Sequence, residues 1–264
     1  MSENKTSALP DVISSTSDAL QKNLPSTVAQ VDGVLSTVVG FFNNVVLHPI
    51  KQANLTFQYK LESFEEDLKE KIKDIPVENL QAPPTMIAGP ALEALRYTYD
   101  EAELREMYEN LLASAMDTRI APKAHPSFVD AIKQMSPIDA QVLAVIGEHP
   151  QLRCAEIRFS IKNSTNFYSD AMPNHFVAEL ASIADPFLIS TSIINLQRLG
   201  LITVKEANIV SENYQELKNH PFTLARITMF EGYGRQFDVK MEEHAIIVNN
   251  FGKQFARVCL SKDV

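Results

Sequence analysis

Val28, Val31, Leu35, Val38, Phe42 and Val45 follow one another at spacings of 3, 4, 3, 4 and 3, the pattern of one face of an α-helix. Val34, Val39, Phe41 and Val46 widen the stripe, and Ser26 or Thr27 after Pro25 offers a cap. Residues 1–25 ahead of it are polar and read as a flexible arm. After this amphipathic 26–50 helix, Phe57, Leu61, Phe64, Leu68 and Ile72 mark a charged helix over roughly Leu55 to Ile75. Glu65–Lys69 and Asp67–Lys71 are spaced there for i,i+4 pairing. Pro76 to Pro90 predicts a short connecting element, because Pro83-Pro84 and Gly89-Pro90 break the period. Asp100-Glu-Ala-Glu103 then predicts a capped helix to about Asp117, with Leu104, Met107, Leu111 and Ala115 inward. His125-Pro126-Ser127-Phe128 opens another, with Pro in the first turn, where its missing N–H costs nothing. Residues 51–135 thus read as a helical domain.

Residues 136–264 follow a different pattern. Ser136-Pro137-Ile138-Asp139 caps a helix to about Glu148, and a polar insertion follows around Lys162 to Asn174. Asp185-Pro186 starts a helix carrying Leu188, Ile189, Ile193, Leu196 and Leu199, stopped by Gly200. Leu201-Ile-Thr-Val204 and Val239–Val248 are strand-like, and Asn249-Asn250 turns the chain into a last helix. The order predicts a winged-helix-like half with insertions near 160–180 and 205–240, in which Gly232-Tyr-Gly234 is a turn. The expected fold class is mainly α with a small β-hairpin.

Charge narrows the function. The net charge of -9 over 264 residues disfavours a nucleic-acid binder, whose affinity comes largely from Lys and Arg on phosphates. The presumptive reading helix offers Thr191, Asn195 and Arg198 at i, i+4 and i+7, side chains able to contact base edges. Yet residues 136–264 hold 12 basic against 14 acidic residues, and residues 1–135 hold 12 against 19. Scaffold or protein contact is therefore the preferred role for that helix. Met1-Ser-Glu-Asn-Lys5 leads into polar residues, so no secretory signal is expected. The uncharged run Gly33 to Ile50 is interrupted by Ser36, Thr37, Gly40, Asn43, Asn44, His48 and Pro49, which argues against a span. Two readings stay open for the 26–50 stripe. It docks on its own domain or a sister chain, or it seeks a partner or a membrane surface.

Catalytic patterns are weak throughout. Four of six His precede Pro (His48, His125, His149, His220), a helix-boundary habit, and no two His sit at i,i+3 or i,i+4. No G-x-S-x-G occurs, and Ser127 beside His125 reads better as a helix start than as a nucleophile pair. Glu93, Glu101, Glu103 and Glu106 fall on surface-like helix positions. Cys154 and Cys259, far apart and outside any CxxC, read as buried small hydrophobes. No catalytic residue, cofactor or metal is expected.

Five strings together point further. They are Leu104-Arg-Glu-Met-Tyr-Glu-Asn-Leu-Leu-Ala-Ser-Ala-Met-Asp117, His125-Pro-Ser-Phe-Val129, Ile132-Lys-Gln-Met-Ser-Pro137, Asn195-Leu-Gln-Arg-Leu-Gly-Leu-Ile202 and Phe251-Gly-Lys-Gln-Phe255 running on to Cys259. In order and spacing, residues 75 to 260 resemble the Abi-alpha (abortive infection alpha) family, a bacterial domain of unknown function. The resemblance implies a cytoplasmic bacterial protein tied to antiviral defence against phage, and it carries over no catalytic residue or ligand. The expected function is a non-enzymatic abortive-infection component acting through protein–protein contacts, by self-association as an oligomer or with another protein. Through residues 26–50 it would also touch the inner membrane peripherally. The alternative is a winged-helix DNA-binding transcriptional regulator using Thr191, Asn195 and Arg198.

Overall fold

The computed structural model describes residues 55–260, apart from 169, 208 and 211, together with Gly33 and Ser36. Val28, Val31, Leu35, Val38, Phe42 and Val45 lie outside the described residues. The first half is helical, as its periodicity predicts: α1 Leu55–Ile72, α2 Thr85–Thr98, α3 Ala102–Met116 and α4 Ser127–Lys133. The second half runs α5 Pro137–Gly147, β1 Leu152–Ile161, β2 Phe167–Tyr168, α6 Pro186–Arg198, β3 Ile202–Glu206, α7 Gln215–Lys218, α8 Pro221–Gly232, β4 Phe237–Val248 and α9 Asn250–Cys259. The chain is mainly α with one small antiparallel sheet.

α3 is the central helix, packed against α1, α2, α4, α5 and α9. Leu104, Met107, Leu111 and Ala115 are buried on it, as their spacing requires. Tyr108 and Leu112 join them, so the helix is covered on a wide arc. One buried apolar cluster runs from Phe64 to Cys259 and draws on both halves of the chain. A satellite cluster of Ala155, Ile157, Phe159, Phe176, Tyr214, Leu217 and Phe230 covers the other face of the sheet. Within it the Phe159 and Phe237 rings stack at 4.6 Å, and Phe230 meets Phe159 edge-on at 5.3 Å.

Four local expectations change. Pro76–Pro90 is not merely a connector. A 3-10 turn at Val77–Asn79 is followed by α2, which starts after Pro84 and contains Pro90. Pro90 removes one helical N–H, but it is exposed, while Ile87, Ala88, Ala91, Leu92, Ala94 and Leu95 on the same helix are buried. Asp100 does not cap α3: Glu101 occupies that position without a side-chain bond, and Asp100 instead accepts from Lys60 Nζ at 2.6 Å. Lys71 pairs across to Glu106 and Glu109 on α3, each at 3.6 Å, where i,i+4 spacing suggested Asp67. Finally, the sheet has four strands in the order β2-β1-β4-β3, where two were expected. The longest ladder joins β1 to β4, from Leu152↔Ile246 to Ile161↔Phe237. The 205–240 insertion contains α7 and α8, with Gly234 in the left-handed region (φ 67) just after α8.

The predicted caps at the other helix starts form. Ser136 Oγ accepts the Asp139 N–H while the Asp139 carboxylate accepts the Ser136 N–H, a complete capping box on α5. Asp185 accepts from Phe187 N on α6, and Asn249 accepts from Gly252 N on α9. His220 caps α8 in the same way, and His125, one residue ahead of the Pro126 cap position, accepts a backbone N–H at the start of α4. His125 Nδ1 accepts the Ser127 N–H at 3.2 Å, and His220 Nδ1 accepts the Phe222 N–H at 3.2 Å. No helix among the described residues is long and apolar enough to cross a membrane.

Candidate functional site

The outward face of α6 carries the residues that charge and spacing singled out. Asp185 and Pro186 start the helix, Ile189, Ile193 and Leu196 bury its inner face, and Gly200 (φ 74) ends it. The opposite face presents Leu188, Thr191, Ile194 and Arg198 to solvent, with Asn195 half-buried at its edge. Leu188 is 53% exposed and Ile194 44%, which makes the face amphipathic and not basic. Leu224 of α8 is also exposed. The start of α8 lies beside the start of α6, where the Phe187 and Phe222 rings meet at 6.1 Å.

The three predicted contact residues share this face, but all three are hydrogen-bonded within the fold. Asn195 Nδ2 donates to the Gln134 carbonyl and to Asp139 Oδ2, both at 3.0 Å. Arg198 donates from Nη1 to Gln134 Oε1 at 2.9 Å and from Nη2 to Asn195 Oδ1 at 2.7 Å. Thr191 Oγ1 donates back to the Phe187 carbonyl at 3.0 Å. The hub is Asp139, 5% exposed, which also accepts from the buried Ser192 hydroxyl. The polar groups of α6 thus join it to α5 and to the turn before it.

Other groups are chemically unusual and were not singled out by sequence. Glu109 on α3 has a side chain only 6% exposed, with Lys71 Nζ and Arg105 Nε each 3.6 Å away and no hydrogen bond to Oε1. Burial pushes its carboxyl up to about 7, against the opposing pull of Lys71. The folded chain therefore binds this proton more tightly than the unfolded chain, whose Glu titrates near 4.5. Stability should accordingly fall as pH rises from about 5 to about 8, by up to about 3 kcal/mol. Glu109→Gln is expected to flatten that slope and to gain about 1–3 kcal/mol at the upper pH. Urea unfolding of both proteins at the two pH values reads this directly, and a wild-type chain as stable at high pH as at low would refute it. The Tyr108 hydroxyl beside it in sequence is also buried without a partner.

Burial pushes the Cys154 thiol up to about 12 and raises that of Cys259 well above the ordinary range, so both are packing residues with little thiolate. The Ser127 hydroxyl lies 2.6 Å from His125 Nδ1, but that nitrogen also accepts a backbone N–H at the start of α4. Of the carboxylates considered from sequence, Glu103 accepts from Gln141 and Glu106 pairs with Lys71. A cleft of about 340 Å³ opens between the end of α1, α3 and α9, lined by Lys71, Lys73, Asn110, Ser114, Asp117 and Arg257. Its Asn110 and Ser114 side chains donate to the carbonyls of Cys259 and Val258.

On the sheet, Glu156 of β1 and Glu242 of β4 face each other across the ladder, bridged by Arg158, with His244 close by. This grouping escaped sequence reading because its members are 86 residues apart and no His–His spacing announces it. The period-2 alternation of Leu152-Arg-Cys-Ala-Glu-Ile-Arg-Phe-Ser-Ile161 was the available signal.

No curated protein and no solved structure matches this chain. The family model of abortive infection alpha does match, over residues 56–259, from the first described helix through the last residue of α9. The five strings that carried the resemblance all fall inside that range. They lie on α3, at α4 and the turn leading to α5, at the α6–β3 junction and on α9. The chain belongs to the abortive infection alpha family.

Proposed function

We propose that this protein is a non-enzymatic component of bacterial antiviral defence that acts in the cytoplasm by binding another protein. Family membership supports the defence role. The observation that carries the mode of action is the outward face of α6: its solvent-facing anchors are Leu188 and Ile194, whereas Asn195 and Arg198 are held by Gln134 and Asp139. A helix that reads a duplex needs free polar groups for base edges and basic neighbours for phosphates. An apolar face edged by polar groups suits a protein partner better.

The order α5–β1–α6–β3–β4, with β4 paired between β1 and β3, supports a winged-helix-like reading of the C-terminal half. The Ala178–Leu180 3-10 turn would stand in for the helix that usually precedes the reading helix. In this reading α6 is the docking helix. The apolar pattern of the sequence from Val28 to Val45 is the basis for a second contact, by self-association or with the inner membrane.

A phage challenge tests the proposal, with culture density followed at low and high phage-to-cell ratio. Protection at the low ratio with collapse at the high ratio is expected of the wild-type chain. Leu188→Asp with Ile194→Asp should abolish protection, because losing a buried aliphatic anchor weakens a contact about tenfold to a hundredfold. Val38→Asp with Phe42→Asp should do the same through the other surface and change the oligomeric mass. Arg198→Ala should leave protection intact. Loss of protection in Arg198→Ala alone, with duplex binding that falls steeply with salt, would overturn the proposal in favour of DNA reading.

A further inference from the structure

Glu156 and Glu242 are direct cross-strand partners on the face of the sheet opposite Ala155, Ile157 and Phe159. Like charges placed opposite one another destabilise a ladder, so this pair requires a cation. Arg158 supplies part of it. Its Nε donates to Glu156 Oε1 at 2.6 Å, and its Nη1 donates to Glu242 Oε1 at 3.0 Å. Both bonds use Oε1, and no described residue donates to the second oxygen of either carboxylate. Lys240, the cross-strand partner of Arg158, adds positive charge at that end of the face, and Glu206, the partner of His244, adds negative charge at the other. His244, two residues along β4 and so on the same face, completes the group. Its Nδ1 lies 3.2 Å from the Glu242 carbonyl oxygen. A carbonyl can only accept, so this contact uses an N–H on Nδ1 and leaves Nε2 as the nitrogen for a metal.

Donor atoms of Glu156, Glu242 and His244 all lie within 4.8 Å of one another. Zinc bonds of about 2.0–2.2 Å to carboxylate oxygen and imidazole nitrogen set tetrahedral ligands about 3.4 Å apart, so small side-chain rotations suffice. The surroundings match those of a metal ligand set. The imidazole is held through its other nitrogen by a backbone carbonyl, and the carboxylates are held through one oxygen each by an arginine. The bridge between Ala155 and Phe176 brings His175 alongside, and its buried Nδ1 has no hydrogen-bond partner.

We propose that Glu156, Glu242 and His244 bind a divalent transition cation of the zinc class on the β1–β4 ladder. Arg158 orients the two carboxylates, and the remaining coordination position is open to water or to His175. One imidazole with two carboxylates selects such an ion over magnesium, which prefers all-oxygen octahedra. The site rests on the strand register and does not depend on the docking proposal.

Isothermal titration of the untagged, chelator-treated full chain with zinc chloride tests it, with magnesium chloride in parallel. One saturable zinc site per chain is expected, and none for magnesium. Glu242→Gln and His244→Ala should each weaken zinc binding at least about tenfold and abolish any zinc-dependent rise in Tm. His149→Ala, an exposed histidine elsewhere, should bind as the wild type does. The mutated side chains are not fully buried, and matching far-UV circular dichroism establishes that the variants fold. No saturable zinc heat at millimolar metal, or binding unchanged in both ligand variants, would overturn the assignment.

Discussion

Gly252→Ala is expected to destabilise this protein by about 4 kcal/mol or more, among the largest effects available to a single methyl group. A Cβ at this position would fall inside the van der Waals shell of the Leu201 carbonyl oxygen. It would also sit 2.8 Å from the Leu201 carbonyl carbon and 2.9 Å from Val248 Cγ1. Two of those three atoms are backbone and cannot rotate away. The peptide cannot retreat either, because Asn249 clamps it: its N–H donates to the Leu201 carbonyl at 3.3 Å and its Nδ2 to the Gly200 carbonyl at 2.7 Å. The Asn249 carboxamide oxygen meanwhile accepts the Gly252 N–H that begins α9. Relief of the clash therefore requires α9 to lift, which exposes Phe255 and Val258 beneath it.

Gly200→Ala supplies the contrast. Gly200 has φ 74 but open space around its Cβ position, so only the left-handed penalty applies, about 1–2 kcal/mol. Thermal unfolding should separate the two, with Gly252→Ala lowering Tm by about 10 °C or more and Gly200→Ala by a few degrees. Equal shifts would mean that α9 relaxes freely and that the close approach carries no energy.

The same geometry explains why the family resemblance was readable. Asn195 to Ile202 and Phe251 to Phe255 are distant in sequence, yet Gly252 sits on the peptide of Leu201, and each string is shaped by the other. Elements with a strong local rule were legible: the 3.6-residue period of α3, the capping box at Ser136 and the stop at Gly200. Elements whose identity depends on tertiary contacts were not. Nothing near Asp100 in sequence shows that Lys60 will take its carboxylate away from the α3 cap. Pro90 conceals α2 because burial of its alanine and leucine face outweighs one lost backbone bond. β1 has no counterpart among the predicted elements although Ala155 to Ile161 alternate, because the partner strand that defines it, β4, lies far along the chain. That omission hid the cross-strand group at Glu156, since a site on a ladder exists only once the register is known. The polar hub under α6 was half legible: the sequence marks Asp139 as a capping residue and Asn195 as a surface contact, without revealing that they touch.

That contact leads to the second large effect. Asp139→Ala is expected to cost about 3–5 kcal/mol, and Asp139→Asn only about 1–2. The carboxylate accepts with both oxygens: Oδ1 takes the Ser192 hydroxyl, and Oδ2 takes the Ser136 N–H at 2.7 Å and Asn195 Nδ2 at 3.0 Å. All of its neighbours there are donors. An asparagine turned with its oxygen toward Ser136 and Asn195 keeps both of those bonds, and its NH2 group donates to the Ser192 hydroxyl, which rotates to accept, so the charge that strengthens the three bonds is what is lost. Alanine removes the acceptors altogether and strands the Ser192 hydroxyl, whose residue is 3% exposed. Alanine also frees Asn195, and with it the bonds that Arg198 makes to Asn195 and Gln134. Ser192→Ala should be milder, because it removes a donor and leaves the carboxylate with two. In the Asp139→Ala background it should recover part of the loss, since nothing is then left unpaired at that position. Denaturant unfolding of the four proteins in the cycle measures this coupling. Additive costs would mean that the carboxylate contributes only its cap to α5. A non-additive cycle would establish that α5 and α6 are joined through one charge, which is what keeps Leu188 and Ile194 facing outward.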